Sequence, residues 1–390
     1  MVTIPNYITE IGYGAFSGAG GITSVRIPAS VKIIGYGAFE DCYGINSVSL
    51  SEGLVTIGDN AFKDCSGLKA VTIPNTVTEM GDRIFQNCTG LGKITIGSKV
   101  QRIGASAFAG TNIASLTIPD SVVEFGWGCA ADCNRLQNVK LGNGLKRIEG
   151  YAFEDCQNLT SVIYGSQIAE IGHDAFKNCV SLNNMQLPNS LKVIESSAFA
   201  SCKGLTSIVV PDFVTTIQDS AFKNCTNLKE LTIGKRVETI EDAAFQYSQI
   251  GSLVLPDSVV KMGWAVFGNS AALQSVTLGK GLTAIPSSSF ENCISLTDVV
   301  LQGQVTSIGS SAFRDCKSLV NINFPESITT IGDNAFRSCS SLQVAKLGNS
   351  ITKIGDRAFA SCASLAKLYM PYFLAEYGWG VVNDLSLIHI

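Results

Sequence analysis

The sequence predicts a β-rich solenoid of about seventeen turns of 23 residues, with one short parallel strand per turn and irregular or short helical connections. A fixed period is the first observation behind it. Phenylalanine recurs at Phe16, Phe39, Phe62, Phe85, Phe108, Phe153, Phe176, Phe199, Phe222, Phe245, Phe267, Phe290, Phe313, Phe336 and Phe359, and Ala130 and Val382 fill the same slot elsewhere. The step is 23 residues except at Phe108 to Ala130 and Phe245 to Phe267, where it is 22. The second observation is an apolar alternation within each period, and the third is a Pro or Gly placed directly after it.

Each period reads L-x-x-V-x-I-P-x-x-V-x-x-I-G-x-x-A-F-x-x-C, as in Leu68, Val71, Ile73, Pro74, Val77, Met80, Gly81, Phe85 and Cys88. The L, V and I positions alternate with polar ones, which is the period of a half-buried strand. Nine of the ten prolines follow that strand, where a residue without an N–H ends a ladder at little cost. Gly97, Gly142, Gly234 and Gly279 take the slot in other turns. The second apolar pair, then Gly, then A-F-x-x-C, suits a tight corner and a single helical turn, with room for a second short strand. One such turn cannot bury its apolar face alone, so stability must come from stacking turn on turn. With strands about 4.8 Å apart, the array would be a rod or gentle arc roughly 80 Å long. A content of 46% hydrophobic and 15% charged residues fits a narrow, well-filled interior under a nearly neutral skin.

These residues resemble the BspA-like leucine-rich repeats, found in surface proteins of anaerobic gut and oral bacteria and in large families of parasitic protists. The resemblance runs from Val2 to about Asp384, with I-G-x-x-A-F-x-x-C intact at Ile57–Cys65, Ile171–Cys179, Ile308–Cys316, Ile331–Cys339 and Ile354–Cys362. It implies a non-enzymatic, adhesin-like binding module at the cell surface or secreted, presenting its surface to a host matrix protein, a glycan or another cell. An intracellular interaction scaffold of a protist, in the cytoplasm, is the alternative. The family offers no catalytic residues and no single ligand to carry over.

Twelve of the thirteen cysteines share one repeat position, from Cys42 to Cys362, which makes them an inward ladder of free thiols acting as small buried hydrophobes. Parallel, in-register side chains aim badly for disulfides. The near pair Cys129 and Cys133 has no histidine beside it for zinc, so neither metal nor cofactor is expected. Two histidines, His173 and His389, leave no inventory for a Ser/His/Asp or Cys/His site, and His173 falls in a variable slot expected to face solvent. The net charge of −4 without a basic run argues against nucleic acid as a partner. No apolar stretch approaches a membrane span, and a monomer is expected.

Two departures from the plain repeat are candidate ligand-binding features. Trp127, Trp264 and Trp379 share one slot after a glycine, and the first two lie in segments, Thr111–Ile148 and Ser248–Ile285, that align throughout and reveal a duplicated block of 137 residues. They either cover gaps left by the shortened turns or serve as aromatic handles for a glycan or protein. The other feature is the outward residue at the strand's centre, a polar column interrupted by Ile163, Val209, Val254, Val300 and Tyr369. Solenoids bind through such faces, and β-propensity alone also explains Thr and Val there.

The solenoid is expected to span residues 1–384 and to be truncated at both ends, since Met1 sits in mid-strand. Residues 385–390 leave the pattern and match the translation of a transposase adapter used in library preparation, so they are expected to be a non-native tail.

Overall fold

The computed structural model describes residues 2–183 and 185–382, with the backbone of 388–389. The chain forms two compact units, Met1–Leu191 with Cys202–Gly204, and Lys192–Ser201 with Leu205–Ile390. Each is a parallel β-solenoid. The expected strand is present and in register: in the first unit Ser24–Ile27 pairs with Ser47–Leu50, Val25 opposite Val48, and in the second Ser275–Leu278 pairs with Asp298–Leu301, Val276 opposite Val299. Register advances by one repeat per turn because a slip of one residue would turn the buried V and I slots outward.

A second strand of two residues follows the corner after the first, as at Glu10–Ile11, Ile33–Ile34 and Thr56–Ile57 in the first unit and Thr216–Ile217, Thr239–Ile240 and Lys261–Met262 in the second. Its Ile or Met points inward and the residue before it outward. The glycine after it is set by close approach: a Cβ on Gly126 would collide with the Ala105 nitrogen, and one on Gly378 with the Asp356 nitrogen.

Where the spacing A-F-x-x-C suggested a helical turn, no helix exists among the described residues. The residues two before and two after the Phe slot adopt positive φ instead, as at Asn60 (55°) and Asp64 (59°) around Phe62, and Ser288 (56°) and Asn292 (59°) around Phe290. Asn, Asp, Ser and Gly dominate these slots because they tolerate the left-handed region best. The conformation redirects hydrogen bonds. Amides at the two slots and at Phe donate to the next turn, as in Gly37 N to Asp59 O (2.9 Å), Phe39 N to Ala61 O (2.8 Å) and Asp41 N to Lys63 O (3.0 Å). The intervening amides close local turns, such as Glu40 N to Gly37 O (3.0 Å). A helical turn would spend its donors within itself. This arrangement spends half of them on cohesion between turns, which a stacked array needs.

The interior is a set of ladders. Phe16, Phe39 and Phe62 stack at centroid distances of 5.0 and 5.2 Å with planes nearly parallel, and Phe199, Phe222, Phe245 and Phe267 at 5.2 to 5.5 Å. At Ala130 the stack lacks a ring, and Phe125 from the neighbouring Ile slot meets Phe153 at 5.6 Å instead. All thirteen cysteines are buried thiols outside any disulfide. Each ladder thiol donates to the carbonyl of the Phe slot one turn back, for example Cys65 Sγ to Phe39 O and Cys316 Sγ to Phe290 O, both 3.1 Å. A second donor for that carbonyl explains why the slot takes Cys rather than Val or Ala. Thr111, Ser248 and Ser270, buried in the same slot, carry hydroxyls in its place.

The tail expected to be non-native lies outside the described residues, apart from the backbone of 388–389, which pairs with Leu368 and Tyr369.

Candidate functional site

With the L, V, I, A, F and C slots consumed by stacking, chemistry can reside only on the outward slots. One outward column runs along the centre of the first strand. In the second unit it carries Val209 beside Thr232, then Val254, Thr277 and Val300 in consecutive register, then Asn323, Lys346 and Tyr369. Ile163 belongs to the same column in the first unit. All five sequence-predicted side chains face solvent, from 39% exposed at Val300 and Tyr369 to 68% at Val254. Val209, Val254 and Val300 lie two turns apart, so polar Thr separates each from the next.

The other column is the corner slot after the glycine, three residues before Phe. Trp127, Trp264 and Trp379 stand here with exposures of 48, 52 and 70%. Asp often fills the slot, and its role is structural: Asp59 Oδ1 accepts the Asp82 N–H (2.8 Å), Asp82 Oδ1 the Ala105 N–H (2.9 Å) and Asp333 Oδ1 the Asp356 N–H (2.8 Å). Asp242 and Asp356 fix Trp264 and Trp379 in the same way, at 2.9 and 2.7 Å. The Arg357 guanidinium lies 4.6 Å from the Trp379 ring centre.

The missing residue of each shortened turn falls elsewhere, between Thr111 and Ile113 and between Ser248 and Ile250. Beside each stands a hydroxyl in the Cys slot. Thr111 Oγ1 lies 2.8 Å from Phe108 O and 3.3 Å from Cys133 Sγ, and the Ser248 and Ser270 hydroxyls meet at 2.8 Å.

Alignment on the Phe slot brings in rings that reading the tryptophans alone misses. Tyr13 and Tyr36 occupy the Trp slot and stack at 5.2 Å. His173 is half-buried rather than simply solvated, because its ring leans over Gly150 to meet Trp127 at 4.7 Å and Tyr151 edge-on at 4.7 Å. Gly150 leaves the space for this, since a Cβ there would press on both rings. Tyr164, in a slot that most other turns fill with Ile or Leu, donates from its hydroxyl to Met185 Sδ (2.9 Å). Met185 and Gln186 lie outside any strand, and a cleft of about 520 Å³ opens between Val162–Ser166 and Gln186–Ser190 with Ile163 on its rim. Burial pushes the Tyr164 phenol above its ordinary range.

Most of the ladder thiols are raised by burial, whereas hydrogen bonds from Cys156 and Thr111 lower Cys133. Burial pushes Cys293 and Cys362 up to about 12 and Cys42 to about 11, so almost no thiolate forms at these three near neutrality.

The profile of the BspA type leucine rich repeat region matches residues 1–113, 55–183, 170–296 and 283–390. Among solved structures, a leucine-rich repeat protein from Bacteroides ovatus is 29% identical, with 91% of each chain covered and a TM-score of 0.73. The pneumococcal vaccine antigen PcpA is 22% identical, covering 85% of this chain and 84% of that one (TM-score 0.49), and a leucine-rich repeat protein from Eubacterium ventriosum is 20% identical, covering 90% and 91% (TM-score 0.48). No curated protein matches the chain.

Proposed function

The chain belongs to the BspA-type leucine-rich repeat family, and from that premise we propose that it is a non-enzymatic, adhesin-like binding module of a microbial cell surface, monomeric, that presents its outward slots to a protein or glycan ligand. One observation carries the reading: Trp127, Trp264 and Trp379 stand about half exposed or more in a slot that stacking does not require to be apolar. Most other turns fill it with Asp, Ser, Ala or Gly. Large exposed rings cost solvation unless a ligand covers them, and aromatic anchors supply much of the energy at interfaces. The missing residue of each shortened turn falls between Thr111 and Ile113 and between Ser248 and Ile250, away from the Trp slot, which supports handles over gap covers. An inventory of two histidines, one of them packed against Trp127, supports a role without catalysis.

The test is solid-phase binding of the recombinant chain to immobilised host matrix proteins and polysaccharides, beside the Trp127→Ser, Trp264→Ser, Trp379→Ser triple variant. The expected result is saturable binding to at least one ligand, lost in a triple variant that keeps its circular dichroism spectrum. Equal binding by both chains, or none by either, would overturn the reading.

A further inference from the structure

We propose that the corner column of the second unit binds a neutral oligosaccharide, with Trp379, Arg357 and Asp356 as one sugar subsite and Trp264 with Asp242 as another. The inference rests on the binding-module reading and names its ligand class. At Trp379 three groups of different chemistry meet. The indole is 70% exposed, the Arg357 guanidinium lies 4.6 Å from its ring centre, and Asp356 Oδ1 accepts the Trp379 N–H at 2.7 Å. Arg357 N donates to Trp379 O at 2.9 Å, so the tryptophan backbone is clamped on both sides. Trp264 repeats the theme. Its N–H is held by Asp242 Oδ1 at 2.9 Å, and its column neighbours, Asp242 and Ser287, are too small to cover an indole face.

A pyranose matches this set. It has an apolar face of C–H groups for the ring and hydroxyls at its rim that both donate and accept. The carboxylate is fixed through one oxygen, which leaves the other to accept from a sugar hydroxyl, and the guanidinium offers donors. Cationic ligands are disfavoured at Trp379 because Arg357 already occupies one approach to the ring. Anionic glycans are disfavoured by the aspartates of the column and by the net charge of −4. The tryptophans are five turns apart within one unit, about 24 Å at strand spacing. A monosaccharide cannot reach both, whereas an oligosaccharide of several residues can, and the second contact then strengthens the first.

The test is affinity electrophoresis of the full chain in gels containing laminarin, yeast mannan or hydroxyethyl cellulose, with polygalacturonate as the anionic comparison. Retardation by at least one neutral polymer is expected. Trp379→Ser and Trp264→Ser should each weaken it by about fivefold to tenfold, with unchanged circular dichroism. Failure of all three neutral polymers, retardation by polygalacturonate alone, or retardation that both variants retain in full would each overturn the proposal. Binding to an immobilised matrix protein without any polysaccharide retardation would overturn this inference and leave the binding-module reading standing.

Discussion

The Phe222 ring lies between those of Phe199 and Phe245, at centroid distances of 5.2 and 5.3 Å, and is wholly buried. Neighbouring turns are fixed by their own amide ladders and cannot collapse into the space. Phe222→Ala is therefore expected to cost about 3–5 kcal/mol, read from the urea midpoint. A thiol matters less. Cys316→Ala removes a donor to Phe290 O, but that carbonyl still accepts from Cys293 N (3.2 Å), so a loss of about 1–2 kcal/mol is expected. Together the thiols set an alkaline limit. Cys42, Cys293 and Cys362 ionise at about 11 to 12 when folded against an ordinary value near 9, so the unfolded chain loses its protons first. Their contribution is complete below pH 9 and is lost as pH rises toward 12. Urea midpoints at pH 8, 10 and 11 should fall in that order, and a flat series would place these thiols in water.

At the scale of the element, the first strand was legible because its alternation spans enough residues to show a period, and Pro or Gly marks its end. The second strand was legible only as an option beside a helical turn, because two residues such as Thr56–Ile57 carry no period of their own. The Phe segment stayed open between irregular chain and a helical turn for a related reason. Apolar residues three apart, Phe62 and Cys65, read as one face of a helix, whereas they are brought to one face by left-handed residues at Asn60 and Asp64. The recurrence of Asn, Asp, Ser and Gly two before and two after Phe was the available signal. It yields a prediction: Asn292→Val forces a β-branched residue to a φ of 59° and removes the amide donor to Asn269 Oδ1 (3.0 Å). A loss of about 2 kcal/mol or more is expected, while Asn292→Gly, which loses the same exposed donor but tolerates the positive φ, should cost less than about 1 kcal/mol in thermal melts.

For the whole molecule, fold was more legible than site, and for a physical reason. Seventeen similar sentences restate which side chains stack, whereas a binding surface is written once, in slots that stacking leaves free. Departures such as Trp264 are visible, but their surroundings are not: the clamp of Arg357 and Asp356 on Trp379 and the His173 ring over Gly150 exist only once turns are aligned in space. Tyr13 and Tyr36 were legible in principle from their distance to Phe and were hidden among glycines. On the proposed function, every repeat divides into inward residues that hold the array and outward residues left free for a partner. Thermal melts of Trp127→Ser, Trp264→Ser and Trp379→Ser beside Phe222→Ala test that division most directly. It predicts that Phe222→Ala melts several degrees lower, while the three tryptophan variants stay within about 1 °C of the parent. Melting temperatures lowered by Trp127→Ser and Trp264→Ser as much as by Phe222→Ala, with Trp379→Ser unchanged, would contradict it and make the tryptophans plugs of the shortened turns.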